Sequence, residues 1–281
     1  ESMPTVRLCI LSVDYVLDEE KKPVIRIWGK TKDGKSVVVF DHSFEPYFYV
    51  EPREGLSLEQ LGELSRRIES LDLEGEKPIK VELTDQRYLG IPKRVFRVCV
   101  KTPADVPRFR DLLKEWSDVK EEYEYAVSFY KRYLIDRGLV PMEWMDATGR
   151  AVKTNLRVDR AIEAEGIKPV NEEKLPPLRI LAFDIETSES AEGENVIMIS
   201  LVDNKKFSRV LTYGGKRRKG VEVLADENSL LERFVRLVNE RDPDIVLGYN
   251  TDRFDFVKLD ARAEALKVRL DISRDNSRVE F

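Results

Sequence analysis

A short apolar run that ends in two acidic residues, LRILAFDIET at residues 178–187, restricts the fold of this chain more than any other stretch. Apolar residues over this length predict a strand that is buried in a sheet. Asp184 and Glu186 close the strand, and because side chains alternate along a strand, both carboxylates lie on the same face. Two such carboxylates repel each other and resist ionisation unless a cation lies between them. The run therefore predicts a buried strand with a cation site at its end.

A third acidic residue has a similar setting further along the chain. The stretch IVLGYNTDRFDF, residues 245–256, is typical of a buried strand, a turn and the first turn of a helix. Asp255 falls in that first turn, where Asp252 is an alternative as a simple N-cap. Ligand sites in open α/β sheets lie at the carboxyl ends of strands, so we expect Asp255 near the acid pair.

The chemistry of these three side chains indicates a hard cation. Carboxylate oxygens without a neighbouring His or Cys favour Mg²⁺ or Mn²⁺. Three carboxylates at one strand edge match a two-metal phosphoryl-transfer site, in which one ion activates water and the other stabilises the leaving oxygen. An Asp-x-Glu pair at a strand end is also common without any catalytic role, and the downstream acid is what favours catalysis here.

Composition and charge limit the class of protein. The net charge of −5 argues against a protein that is basic over its whole surface, although it allows a local basic groove or a site where metal ions bridge carboxylates to phosphates. No apolar run approaches the ~20 residues of a membrane span, and the N-terminal stretch has no signal-peptide pattern. Cys9 and Cys99 lie in apolar runs and predict buried thiols rather than a disulfide. These features predict a cytoplasmic protein.

The 281 residues exceed the usual size of one domain, and the sequence pattern changes along the chain. Residues 1–145 predict a mixed β domain whose strand-helix-strand-strand-helix-strand series is typical of a split βαβ, or ferredoxin-like, portion. Residues 146–177 are charged and contain prolines, and they predict an extended connection that ends at Pro176-Pro177. Residues 178–281 predict an α/β domain with a mixed sheet.

Several motifs carry a resemblance to a known family. FDIET at residues 183–187 resembles the first motif of the 3′–5′ exonuclease domain of family B DNA polymerases, and YNTDRFD at residues 249–255 resembles the second, Asn-x-x-x-Phe-Asp. The stretches FEPYFYV, YLGIPKRVFRV and YKRYLIDRGLVPME resemble the N-terminal domain of the archaeal members. The resemblance covers nearly the whole chain. It implies a partial RNase H-like exonuclease domain that belongs to a replicative DNA-directed DNA polymerase.

The resemblance also implies roles for individual residues. Asp184 would bridge both metal ions, Glu186 would bind the ion that activates water, and Asp255 would help to hold the second ion. Other positions that match the motifs would contact the 3′-terminal nucleotides of a DNA strand. These residues are Asn250, Phe254 and Thr187.

One part of the family pattern is missing from the sequence. The third exonuclease motif, Tyr-x-x-x-Asp, does not follow Asp255, and nothing resembles the palm, fingers and thumb of the polymerase region. We therefore expect an N-terminal piece, cut inside the exonuclease domain, that is monomeric, lacks polymerase activity and has little or no nuclease activity. The parent protein is expected to act on single-stranded and primer-template DNA together with a sliding clamp.

Archaeal polymerases of this family resemble one another in an N-terminal pocket that captures uracil in the template strand. Apolar walls and an aromatic ring suit a flipped base, and a tight wall would exclude the methyl group of thymine. Val95 and Val127 also fit ordinary core positions, and Arg132, assigned to a phosphate, also fits a solvated surface. Ser128 stands where many relatives have proline. The residues that match the pocket are Pro46, Tyr47, Pro92, Val95, Val127, Phe129 and Arg132.

Two other functions stay open on the sequence alone. One is a template- or uracil-binding module without catalysis, and the other is a free-standing RNase H-like exonuclease, which the missing Tyr-x-x-x-Asp disfavours. The basic stretch GGKRRKG at residues 214–220 is either a DNA contact or a solvated hairpin tip. His42, the only histidine, is expected in a surface loop.

Overall fold

The computed structural model describes residues 3–172, 174–190 and 193–277. The chain forms two compact units, one from residues 1–31, 37–152 and 160–173 and the other from residues 32–36, 153–159 and 174–281. The outermost residues of the predicted domains, 1–2 and 278–281, lie outside the described residues. Within the described ranges, no helix has the length and apolar character needed to cross a membrane.

The regular elements are numbered in chain order. The strands are β1 (Thr5–Leu17), β2 (Pro23–Lys30), β3 (Ser36–Asp41), β4 (Tyr47–Pro52), β5 (Lys80–Tyr88), β6 (Ile91–Cys99), β7 (Val119–Tyr123), β8 (Trp144–Ala151), β9 (Arg160–Val170), β10 (Ile180–Ser190), β11 (Gly193–Asp203), β12 (Ser208–Tyr213), β13 (Val221–Leu224) and β14 (Ile245–Leu247). The helices are α1 (Leu58–Glu69), α2 (Asp105–Leu113), α3 (Phe129–Arg137), α4 (Glu227–Arg241) and α5 (Asp255–Leu266).

A closed barrel in the order β1-β2-β3-β9-β8 forms one part of the first unit. Strand β1 pairs antiparallel with β2 and β8, whereas β3 pairs parallel with β9. Alternating apolar side chains such as Leu8, Ile25 and Val39 fill the interior, as expected for a barrel this small. Phe129 and Tyr133 of α3 belong to the same core, so this helix is packed onto the barrel.

The second sheet of this unit has the order β5-β6-β4-β7 and is antiparallel throughout. Its chain order β4-α1-β5-β6-α2-β7 is the split βαβ arrangement, so the ferredoxin-like prediction is confirmed. Helix α1 begins as expected because the Ser57 hydroxyl accepts the Gln60 N–H at 3.2 Å, while Gln60 Oε1 accepts the Ser57 N–H at 2.8 Å. Phe48 and Phe96 of the sheet share a core with Phe109 of α2.

The second unit has a mixed sheet in the order β13-β12-β11-β10-β14, as predicted for an α/β domain. Strands β10, β11 and β12 form an antiparallel meander, and the short β14 pairs parallel with the first part of β10. Leu181 of β10 shares one core with Phe234 of α4 and Leu259 of α5. The two helices therefore cover one face of the sheet.

The structure differs from the extended connection predicted over residues 146–177. Most of that stretch belongs to β8 and β9, which pair antiparallel and complete the barrel. Alternation is weak in this part of the sequence because much of β9 is exposed and carries charged residues. The pairing register also shifts between Thr148 and Gly149, which interrupts the two-residue period.

Strand β13 has no clear sequence signal, because its four residues are too few for a recognisable alternation. It pairs parallel with β12. The basic stretch at residues 214–220 therefore connects two parallel strands and is not the hairpin tip that the sequence suggested.

Gly149 allows the backbones of β8 and β9 to approach closely at the register shift. A side-chain carbon added to Gly149 would lie 2.0 Å from the Glu163 carbonyl oxygen. We predict that Gly149→Ala destabilises the fold by about 2–4 kcal/mol, because backbone atoms must move to admit the methyl group. Chemical denaturation followed by tryptophan fluorescence measures this change.

Gly62→Ala is the matched control for this prediction. Gly62 lies inside α1, where no atom beyond its chain neighbours and the backbone of the helix itself lies within 4 Å of the added carbon, so alanine should stabilise the protein by up to about 1 kcal/mol. A Gly149→Ala protein as stable as the original chain would contradict the assigned pairing of β8 with β9.

Candidate active site

Strand β10 holds its two acidic side chains on the face opposite the core. Leu181, Phe183 and Ile185 are buried in the core that β10 shares with α4 and α5, whereas Asp184 and Glu186 are exposed. The alternation of side chains along a strand produces this separation. The two carboxylates thus share a face of a strand whose other face is fixed by packing.

A β-bulge follows directly after Glu186. The pairing of β10 with β11 shifts between Glu186 and Thr187, which leaves one residue of β11 without a partner. Next to it, the Val196 N–H donates to Oε1 of Glu227 at 2.8 Å. Glu227 is buried and also accepts two bonds from Arg262, at 2.8 and 2.5 Å. Side chains from α4 and α5 therefore hold the irregular backbone beside Glu186.

Asp255 begins α5, and its carboxylate reaches the edge of β10. Strand β14 pairs with β10 only as far as Leu247, and the Ile185 N–H beyond that point donates to Oδ1 of Asp255 at 3.2 Å. Only 2% of Asp255 is exposed. Burial is the main cause that raises the pKa of Asp255; the charge of Asp184 raises it further, and the Ile185 N–H opposes both.

The turn between β14 and α5 presents the residues assigned to the DNA strand. Asn250 adopts a left-handed backbone with φ 59°, and its carbonyl oxygen accepts the N–H groups of Arg253 and Phe254 at 3.1 and 3.0 Å. Phe254 occupies the N-cap position and is 40% exposed, so the alternative of Asp252 as the N-cap is wrong. Tyr249, the first residue of the YNTDRFD stretch, has no role assigned from the sequence and is 93% exposed beside Asn250.

A polar cluster connects the end of β10 to α5. The Thr187 hydroxyl donates to Oε1 of Glu194 at 2.8 Å, and the Lys258 ammonium donates to Oε2 of the same carboxylate. The bond from Lys258, followed by that from Thr187, holds the pKa of Glu194 below its ordinary value. Thr187 thus lies next to Asp184 and Glu186 in the strand, and its hydroxyl hydrogen is bonded to Glu194.

The chemistry of the assigned donors suits a hard cation, since Mg²⁺ and Mn²⁺ prefer carboxylate oxygens. Asp184 lies close enough to Asp255 for its charge to raise the pKa of Asp255. Across residues 3–172, 174–190 and 193–277, however, no three His, Cys, Asp or Glu side chains are close enough together to hold a metal ion. The structure therefore brings Asp184 and Asp255 together, and Glu186 does not complete a three-membered group with them.

Five of the seven residues assigned to a uracil pocket line one cleft of the first unit. The cleft has a volume of ≈ 440 Å³. Tyr15 of β1, which no motif singles out, lines the same cleft, and its ring meets that of Phe129 edge-on with 5.2 Å between centroids. The five residues are Pro46, Tyr47, Val127, Phe129 and Arg132.

The other two residues of that set lie outside the cleft. Val95 is 2% exposed and lines a smaller neighbouring pocket of ≈ 70 Å³, which it shares with Arg132. Pro92 is exposed and lies in an open depression with Arg87 and Arg94. The sequence cannot show to which side of the β5–β6 hairpin Pro92 and Val95 point, so it does not separate these two residues from the other five.

Two polar side chains of the cleft, Arg132 and Tyr47, share the carboxylate of Asp136 as a partner. The Arg132 guanidinium donates to Asp136 at 2.9 and 2.8 Å and also to Glu124. The Tyr47 hydroxyl donates to Asp136 at 2.7 Å, and burial together with this bond raises the pKa of Tyr47, so the hydroxyl stays protonated. Arg132 therefore belongs to an ion-pair network and is not a solvated surface charge.

Sequence comparisons match this chain to one family. The family described as DNA polymerase family B, exonuclease domain, matches residues 120–280. A DNA polymerase of Thermococcus sp. (strain GE8) is 35% identical over 273 residues, which cover 95% of this chain and 14% of the relative. The DNA polymerase of Thermococcus gorgonarius is 34% identical over 273 residues, which cover 95% of this chain and 30% of the relative.

A solved structure gives the same result. The family B DNA polymerase from the hyperthermophilic archaeon Pyrobaculum calidifontis superimposes with a TM-score of 0.82 and 28% identity, over 97% of this chain and 34% of that chain. The chain thus spans between 14% and 34% of the length of these relatives. The family match includes Asp184 and Asp255 and extends over more than half of the sequence. The resemblance read from the motifs is therefore confirmed, and the chain belongs to the family B DNA polymerases through its exonuclease domain.

Proposed function

We propose that this chain is part of a replicative DNA-directed DNA polymerase. Residues 178–281 form the exonuclease domain and contribute to 3′–5′ proofreading hydrolysis, and the first unit, whose barrel extends beyond residue 145 to include β8 and β9, forms a domain that binds single-stranded template. The family match over residues 120–280 supports this function. The observation that carries the nuclease part is the approach of Asp255 of α5 to Asp184 of β10. The substrates in this proposal are single-stranded and primer-template DNA, and a sliding clamp is the partner of the whole polymerase.

In this proposal Asp184 and Asp255 would hold Mg²⁺ or Mn²⁺, with Glu186 on the same face of β10 as a further donor, and the ion would supply Lewis-acid chemistry. The chain itself binds and orients the strand. Phe254 offers an exposed ring on which the 3′-terminal base stacks, and the neighbouring Asn250 lies on an exposed turn within reach of the same nucleotide. The bond from the Ile185 N–H keeps the Asp255 carboxylate in place while DNA binds.

For the 281-residue chain alone we predict little or no nuclease activity, because no Tyr-x-x-x-Asp follows Asp255 in its sequence. We predict no polymerase activity, because nothing in these 281 residues resembles the palm, fingers and thumb. Digestion of a 5′-labelled single strand with Mg²⁺ or Mn²⁺ measures this. Asp184→Ala tests the assigned site, and Asp252→Ala changes an exposed neighbour as the control.

Robust 3′–5′ shortening that Asp184→Ala abolishes would contradict the predicted inactivity and support the assigned carboxylates. Shortening that is equally fast with Asp184→Ala would instead contradict the role of Asp184.

We also propose that the cleft of the first unit binds uracil in a template strand. Its volume of ≈ 440 Å³ falls in the range of about 300–1,000 Å³ that small-ligand sites occupy. Pro46, Val127 and Phe129 give it apolar walls, and Tyr15 adds an exposed ring. Since Arg132 is paired with two carboxylates, a phosphate contact requires that one of them releases it.

Titration with uracil-containing and thymine-containing single strands tests the uracil proposal. We expect about tenfold tighter binding of the uracil strand, because a wall that rejects one methyl group discriminates by that order. Val127→Phe narrows the cleft and should remove the preference, whereas Ile135→Phe introduces the same ring at an exposed position of α3 outside the cleft and should keep it. Equal affinities of the original chain for both strands would reject the proposal.

A further inference from the structure

Lys258 lies close to the residues assigned to the DNA strand. It falls three residues after Asp255 and four after Phe254, so all three lie along one side of the start of α5. Its ammonium lies 5.7 Å from the centroid of the Phe254 ring, within the range of cation–π contacts. A base stacked on Phe254 therefore brings its phosphate near a lysine.

The end of β10 is acidic on both of its faces. Asp184 and Glu186 are exposed on one face, and on the other face Glu189 lies opposite Glu194 of β11 across the strand pair. Like charges in this position repel, and each incoming phosphate adds another negative charge. A cation at the entrance reduces this repulsion, and Lys258 is placed to supply it.

Lys258 is engaged by Glu194, whose other oxygen accepts the Thr187 hydroxyl. The side chains of Lys258 and Glu194 are 35% and 34% exposed. An ion pair with this exposure contributes little to stability, so a phosphate can replace the carboxylate as the partner of the ammonium. The Thr187 hydroxyl keeps Glu194 in place during such an exchange.

We propose that Lys258 binds a phosphate at the 3′ end of the DNA strand, and that Glu194 occupies its ammonium when no DNA is bound. This inference rests on the proposed exonuclease function and adds a substrate contact that neither motif contains. Glu194 acts as a competitor of the DNA phosphate, so the two residues of one ion pair have opposite effects on binding.

The first test removes the positive charge of Lys258 from the protein and, separately, the negative charge of the last phosphates from the DNA. Single strands with a fluorescent base at the 3′ end are titrated without divalent ions, so that the signal reports the 3′ terminus. Lys258→Gln should weaken binding about three- to tenfold, but should have little effect on a strand whose last linkages are uncharged methylphosphonates. An equal loss with both strands, or no loss with either, overturns the inference.

Two variants serve as controls for this loss. Lys258→Arg keeps the positive charge and should keep the affinity. Lys205→Gln removes the same charge from the exposed turn between β11 and β12, at the other end of the sheet, and should leave both strands unaffected. A loss with Lys205→Gln as large as with Lys258→Gln overturns the inference.

The second test uses the carboxylate. Glu194→Gln keeps the shape of the side chain, removes the competitor for Lys258 and should strengthen binding of the phosphodiester strand about two- to fivefold. If the Lys258–Glu194 ion pair serves only to hold the paired strands β10 and β11 to α5, Glu194→Gln and Lys258→Gln should weaken DNA binding to the same extent. That result overturns the inference. Thermal unfolding of both variants checks that they fold.

Phe254→Ala separates this inference from the proposed function. If the original chain binds no 3′ ends, or if Phe254→Ala changes nothing, the exonuclease proposal itself fails. If Phe254→Ala weakens binding of the labelled 3′ end and Lys258→Gln does not, only the role of Lys258 fails.

Discussion

The hydrogen bond from the Ile185 N–H to the Asp255 carboxylate is the contact on which the candidate site depends. It forms just beyond the end of β14 and joins the edge of β10 to the first turn of α5. A buried N–H without an acceptor costs about 1–3 kcal/mol, so the fold itself requires an acceptor at this point. Aspartate meets that requirement and also places a carboxylate beside Asp184. The same residue thus serves the packing of α5 and the charge of the site.

A second interaction supports the end of the strand that carries Glu186. The ion pair between the buried Glu227 and the partly exposed Arg262 joins α4 to α5, and Glu227 also accepts the Val196 N–H at the bulge. Loss of Arg262 would leave the buried Glu227 carboxylate without its charged partner, so the contact between the two helices depends on this pair. Helices α4 and α5 thus hold the irregular end of β10 in place, although the acidic side chains on its open face repel one another.

The sequence predicts the parts of the site that depend on local pattern. Alternation in LRILAFDIET places Asp184 and Glu186 on one face, and the helix signal places Asp255 at the start of α5. That Glu186 does not form a three-membered group with the other two acids in the described part of the chain depends on side-chain positions that no local pattern encodes. The pairing of β8 with β9 is hidden for the same reason, because a register shift interrupts the alternation. Lys258 and Glu194 meet only through tertiary structure.

Binding of Mn²⁺ followed by paramagnetic broadening of amide signals is the most direct test of a metal site between β10 and α5. We expect broadening centred on Asp184, Ile185 and Asp255, because these residues surround the two neighbouring carboxylates. The broadening should disappear in Asp184→Ala and persist in Asp252→Ala, since Asp252 is exposed and holds no assigned ligand role. Broadening that is absent, or that is unchanged in Asp184→Ala, would contradict a metal site at these carboxylates.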